Sequence, residues 1–157
     1  MKKISLLILA LVLSFTAIFL FSCNDSEKET NATASSVADG EEIPAEGNWK
    51  TATYRKNATL GQGNKTFTLT VAIDGKSVDL TIKTDESTVG AALQALNVIQ
   101  GEDSQYGLYI KTVNGVLADY DIDQTYWAFY INGEYASSGV DTTEIVSGTT
   151  YKLSREK

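Results

Sequence analysis

Thr66-Phe67-Thr68-Leu69-Thr70-Val71-Ala72-Ile73-Asp74-Gly75-Lys76-Ser77-Val78-Asp79-Leu80-Thr81-Ile82-Lys83 is the stretch that decides the fold. Phe67, Leu69, Val71 and Ile73 alternate with Thr66, Thr68, Thr70 and Ala72, the period of a strand buried on one face. Asp74-Gly75 supplies a two-residue turn, and Val78, Leu80 and Ile82 resume the alternation against Asp79, Thr81 and Lys83. A β-hairpin is therefore expected over this stretch.

Downstream the period changes. Val89, Ala92, Leu93, Leu96 and Ile99 recur at three and four residues, one face of a helix. Asp85, Ser87 or Thr88 can cap it, and Gly101 is placed to end it. Leu108, Ile110 and Val113 follow, then the turn Asn114-Gly115, the segment Tyr126 to Ile131, the turn Asn132-Gly133 and a last strand at about Thr150 to Leu153. Hairpin, crossing helix and further strands form the plan of an α+β, β-grasp-like domain: one mixed sheet with a helix on one face. The inner face is expected to carry Phe67, Leu69, Val71, Ile73, Val78, Leu80, Ile82, Leu108, Ile110, Trp127, Phe129, Ile131, Tyr151 and Leu153. Thr68, Thr70, Thr81, Lys83, Tyr109, Lys111, Tyr126 and Tyr130 fall on the other face.

Upstream lies a different chemistry. Lys2-Lys3, an apolar run from Ile4 to Phe21, and Leu20-Phe21-Ser22-Cys23 have the layout of a bacterial export signal cut before a lipid-accepting cysteine. The run is also about long enough to span a bilayer, but Ser22 ahead of the chain's single cysteine favours cleavage, although Phe21 is bulky for such a site. Residues 1–22 are thus expected to be a lipoprotein signal peptide, with Cys23 lipidated. Residues 23–48, rich in Ser, Thr, Asn, Ala, Glu and Asp, are expected to form a disordered polar tether reaching about 25–30 Å. Residues 49–157, with a core at 65–157, suffice for one small domain. The expected address is extracytoplasmic, on the cell membrane or outer membrane, with the bilayer as partner through Cys23.

Composition removes several classes of function. The chain has 13 basic and 20 acidic residues, a formal charge of −7, and no histidine. Removing residues 1–22 takes away Lys2 and Lys3 and no acid, leaving 11 basic residues against 20 acidic, a formal charge of −9. No basic cluster offers phosphate contacts, so nucleic acid is not an expected partner. Without histidine the commonest general base and metal ligand are missing, and no enzyme activity, cofactor or metal site is expected. Asp119, Asp121 and Asp123 have calcium-loop spacing, but the sixth position is Gln124 and the twelfth Tyr130, so they are expected to form a solvated acidic loop. Gly61-Gln62-Gly63 lacks the third glycine of a dinucleotide loop and is expected to be a turn.

Tyr109, Tyr126, Tyr130 and Tyr135 are the candidate ligand-binding residues, because a phenol offers an apolar ring and a polar edge. Surface tyrosines that only cover a sheet are the plainer alternative. Ser137 and Ser138, in the loop after Tyr135, can add hydrogen bonds, with no base nearby in sequence to activate a hydroxyl.

Tyr126-Trp127-Ala128-Phe129-Tyr130-Ile131-Asn132-Gly133-Glu134-Tyr135-Ala136, with Thr88-Val89-Gly90-Ala91-Ala92-Leu93, Tyr106-Gly107-Leu108-Tyr109 and Val113-Asn114-Gly115-Val116, resembles the transcobalamin-like C-terminal domain of bacterial surface proteins. That family is otherwise labelled a domain of unknown function, and the likeness covers about residues 60–157. It implies a binding module on a surface lipoprotein. The expected function is capture of a small-molecule nutrient, a cobalamin-like ligand among the candidates, for a membrane transporter. The alternative is a tethered module for protein or glycan interaction. No separate helical domain accompanies this one, so a corrinoid would be held by its edges, amides and nucleotide loop.

Overall fold

The expected hairpin is the centre of the domain. A computed structural model describes residues 35–36 and 40–157. Strands β1 (Ser35–Ser36), β2 (Ala58–Gly61), β3 (Lys65–Ile73) and β4 (Lys76–Thr84) come first. β3 and β4 pair antiparallel from Lys65↔Thr84 to Ile73↔Lys76. Asp74 (φ 52°) and Gly75 (φ 75°) take the left-handed conformations that a two-residue hairpin turn needs.

After β4 come helix α1 (Val89–Ala95), β5 (Ile99–Ser104), β6 (Gly107–Val113), β7 (Val116–Leu117), a short helix α2 (Tyr120–Asp123), β8 (Tyr126–Ile131), β9 (Glu134–Tyr135) and β10 (Thr150–Glu156). The strands form two sheets. The larger has the order β1-β4-β3-β10-β8-β9, with β2 also paired to β4, and the smaller is β5-β6-β7. β10 is central, parallel to β3 and antiparallel to β8. This mixed sheet with its crossing helix is an α+β, β-grasp-like fold. Leu108, Tyr109, Ile110 and Lys111 of β6 belong to the smaller sheet, not to the single shared one expected, although Ile110 is still buried in the common core.

The helix is shorter than its periodicity suggests. Thr88 caps it through its side chain, which accepts from the Ala91 amide at 3.3 Å. Asn97 (φ 54°) then turns the chain, and Ile99 opens β5 instead of extending the helical face. Gly101 does not end the helix. It sits at a register shift in β5, where a Cβ would collide with the Tyr109 carbonyl.

The inner sheet face is apolar as expected. Phe67, Leu69, Val71, Ile73, Val78, Leu80, Ile82, Tyr151 and Leu153 are all buried, with Trp127 and Phe129 beside them. Leu108 and Ile131 are half-buried against this core. The Tyr151 ring meets Phe67 edge-on at 5.2 Å and stacks on Phe129 at 6.0 Å. Val89, Ala92 and Leu93 of α1 join the same cluster.

Packing begins ahead of residue 49. Ile43 is buried and its amide donates to the Arg55 carbonyl at 2.7 Å. Trp49 is buried too, its indole donating to the Ile73 carbonyl at 3.2 Å. Ser35–Ser36 pairs parallel with Lys76 and Ser77, so part of the stretch expected to be a spacer touches the sheet edge. The expected signal peptide, residues 1–22, and the expected lipidation site Cys23 lie outside the described residues. Among the described residues no helix is long and apolar enough to cross a membrane.

Candidate functional site

Strand alternation sends Trp127 and Phe129 inward and Tyr126, Ala128 and Tyr130 to the outer face of the sheet. On β10 the same alternation buries Tyr151 and Leu153 and leaves Lys152, Ser154 and Glu156 outside. Register then decides the neighbours: Lys152 stands opposite Tyr130, and Glu156 opposite Tyr126. Across the turn of Asn132 (φ 49°) and Gly133 (φ 89°), Tyr135 stands opposite Tyr130.

Tyr130 is the hub of this cluster. Its hydroxyl donates to Glu156 Oε1 at 2.8 Å, and Lys152 Nζ lies 4.0 Å from its ring centroid. The Tyr135 ring meets it edge-on at 5.3 Å. Burial, then the hydrogen bond to Glu156 and that carboxylate's charge, push the Tyr130 phenol up to about 12. Burial, followed by the charges of Glu156 and Tyr135, also raises Tyr126. Since Tyr130 is already engaged at its ring and its hydroxyl, the aromatic surface offered outward is mainly Tyr135, which is 64% exposed.

The structure thus gathers Tyr126, Tyr130 and Tyr135. Ser137 joins them loosely, lining with Ile131, Asn132, Glu134, Tyr135 and Ala136 a shallow depression of about 440 Å³. Ser138 is exposed in the following loop, its Oγ 3.1 Å from Thr143 Oγ1. Tyr109 is placed elsewhere: on β6 of the smaller sheet, with Lys111 Nζ 5.0 Å from its ring centroid. Lys152 and Glu156 were missed. Their signal was present, since Lys152 alternates with the core residues Tyr151 and Leu153, but only the strand register reveals which side chains they meet.

The acidic run is more structured than a solvated loop. Asp119 caps α2 through the Asp121 amide at 3.0 Å and pairs with Lys111 at 2.9 Å. Asp123 accepts from Thr125 and pairs with Arg155, whose Nε also donates to the Leu117 carbonyl at 3.1 Å. The Lys111 hydrogen bond chiefly lowers Asp119, and the Thr125 hydroxyl chiefly lowers Asp123. Among the described residues no group of three or more His, Cys, Asp or Glu side chains is placed to hold a metal ion.

A β-grasp-like domain with tyrosines and two charged groups gathered on one open sheet face has the character of a small binding module. Residues 86–152 match a family described as a domain of unknown function, DUF4430. A "putative metal binding protein" from Ruminococcus gnavus ATCC 29149 has a similar crystal structure, with 30% sequence identity and a TM-score of 0.57, over 60% of this chain and 98% of that one. The chain belongs to this family, carrying a DUF4430 domain. Haptocorrin in complex with Cbi aligns at 21% identity and a TM-score of 0.47, over 62% of this chain and 26% of that one. No curated protein matches the sequence.

Proposed function

We propose that this protein is a lipid-anchored extracytoplasmic binding protein that captures a small-molecule nutrient on the outer face of β8, β9 and β10 and passes it to a membrane transporter. The observation that carries this reading is the cluster of Tyr126, Tyr130 and Tyr135 with Lys152 and Glu156 around the central strand. Ordered aromatic rings beside fixed polar groups lower the entropy cost of holding a small ring compound. Cys23 and the apolar run before it support the anchor and the address, and the polar composition of the residues that follow Cys23 suits a spacer.

A corrinoid is the first ligand to try, because of the resemblance to transcobalamin-like domains. It would be held by its amides and edges, since the chain has no histidine to reach cobalt. Metal binding is not carried over from the Ruminococcus gnavus relative. The absence of histidine likewise supports a role in binding without catalysis.

A second reading, a tethered module for protein or glycan contact, is favoured by one observation: Tyr106, Ile122 and Tyr135 are well exposed, and side chains of this kind anchor macromolecular interfaces. Isothermal titration of the full chain in detergent, with cobalamin, related corrinoids and a panel of small polar nutrients, separates the two. Saturable heat from any member supports capture of a small molecule. No heat from the whole panel at high ligand concentration would leave the interaction module as the better account.

A further inference from the structure

Lys152 and Glu156 carry opposite charges on the same face of β10, four residues apart, yet they do not pair. Among the described residues the ion pairs are Arg55 with Glu42, Lys111 with Asp119 and Arg155 with Asp123. Lys152 and Glu156 belong to none of them. Tyr130 stands between: its ring holds the ammonium at 4.0 Å and its hydroxyl holds the carboxylate at 2.8 Å. Strand geometry sets their Cα atoms about 13 Å apart, and the tyrosine bridges that gap from the neighbouring strand.

The arrangement is preorganised. An ammonium against a ring keeps its outer N–H groups available, because the ring takes up only one side of the cation. A carboxylate accepting one phenolic hydrogen bond keeps further lone pairs free, since it can accept about four. Both side chains are already ordered, so a ligand that meets them loses less rotamer entropy than one that must immobilise a free lysine and a free glutamate. Tyr126 and Tyr135 flank the pair, one half-buried and one exposed, and offer apolar surface beside the charges. Thr70, opposite Lys152 on β3, is neutral, and its hydroxyl donates to Asp79 at 2.6 Å.

We propose that this face takes a small zwitterion, a dipeptide or amino acid whose carboxylate meets Lys152, whose ammonium meets Glu156 and whose body rests on Tyr126 and Tyr135. This names the ligand class for the small-molecule reading above and rests on it. A neutral ring would leave both charges without a partner of opposite sign. A simple anion or cation would satisfy one of them and meet repulsion from the other.

The test is an amide chemical-shift titration of the full chain in detergent with glycylphenylalanine, its N-acetyl form, its C-terminal amide and cobalamin. Glycylphenylalanine is expected to give saturable shifts at the β8, β9 and β10 amides, and each blocked form to bind about tenfold more weakly or worse. Lys152→Gln and Glu156→Gln should each reproduce the loss, whereas Lys152→Arg, which keeps the cation, should retain most of the affinity. Equal binding of the blocked forms, binding unchanged in folded Lys152→Gln and Glu156→Gln chains, or dipeptide shifts confined to another surface would overturn the proposal. If cobalamin shifts this face and the dipeptide does not, the zwitterion is wrong and small-molecule capture stands. If no probe shifts it, both fall.

Discussion

The two faces of the larger sheet carry aromatic rings in comparable number and use them differently. On the inner face Phe67, Phe129 and Tyr151 pack together, and the one polar end, the Tyr151 hydroxyl, is satisfied by backbone: it donates to the Glu144 carbonyl at 3.2 Å and accepts from the Val146 amide at 3.2 Å. On the outer face Tyr126, Tyr130 and Tyr135 stand with charged side chains. Backbone partners lock a ring into the fold. Charged side-chain partners on an open face keep spare hydrogen-bonding capacity for a ligand, so the inner rings are expected to set stability and the outer ones binding.

The largest expected effect is on the inner face. Tyr151→Ala should cost about 3–5 kcal/mol of unfolding free energy, as for other fully buried aromatic truncations. Tyr135→Ala should stay within about 0.5 kcal/mol. Comparable losses for both in urea unfolding would break the contrast between the faces.

The two Asn-Gly turns differ in the same way. Asn114 and Asn132 both take left-handed conformations, at φ 53° and 49°. Asn114 is buried, its Nδ2 donating to the Tyr54 carbonyl at 2.7 Å and its Oδ1 accepting from the Tyr54 amide at 2.8 Å. Asn132 is exposed, its Oδ1 accepting from the Thr150 amide at 3.2 Å. Glycine keeps the turn and removes the side chain, so Asn114→Gly should cost about 1–3 kcal/mol and Asn132→Gly about 0.5 kcal/mol or less. Thermal melts of the two variants would check the order.

Smaller effects come from titration. Tyr130 should be among the last phenols to ionise, near pH 12. Its raised value means that its contribution is fully present below pH 10 and is lost as pH rises through about 12. Tyr130→Phe should remove that step from the alkaline absorbance titration and cost about 1 kcal/mol or less at neutral pH. Asp119 and Asp123 are both lowered from 3.8, so what they contribute is present above that value and is lost as pH falls through their lower folded values. Asp123→Asn should flatten the acid end of the stability profile.

Much of this was legible in the sequence, and the failures have physical causes. The hairpin of β3 and β4 could be read because strict alternation and Asp74-Gly75 point the same way. The helix was drawn too long because Ile99 keeps its spacing from Leu96 and Leu93 across Asn97, where the backbone turns. β5 escaped notice because Gln100 to Ser104 is polar or glycine and exposed, with no apolar period to betray a strand. Tyr109 was grouped with Tyr126 and Tyr130 because alternation shows which face of a strand a residue takes and says nothing of which sheet the strand joins. Lys152 and Glu156 were hidden for a related reason: their partners on β8 lie more than twenty residues away in sequence, and only pairing brings them together.

Whether the outer face of β8, β9 and β10 is the ligand face is decided by isothermal titration of the wild-type and the Tyr126→Ala, Tyr135→Ala double-variant chains, using the tightest-binding member of the corrinoid and nutrient panel. The wild type should give saturable heat, and the double variant a near-unchanged melting temperature with affinity at least about tenfold weaker. Undiminished affinity in a folded double variant would contradict a ligand role for this face.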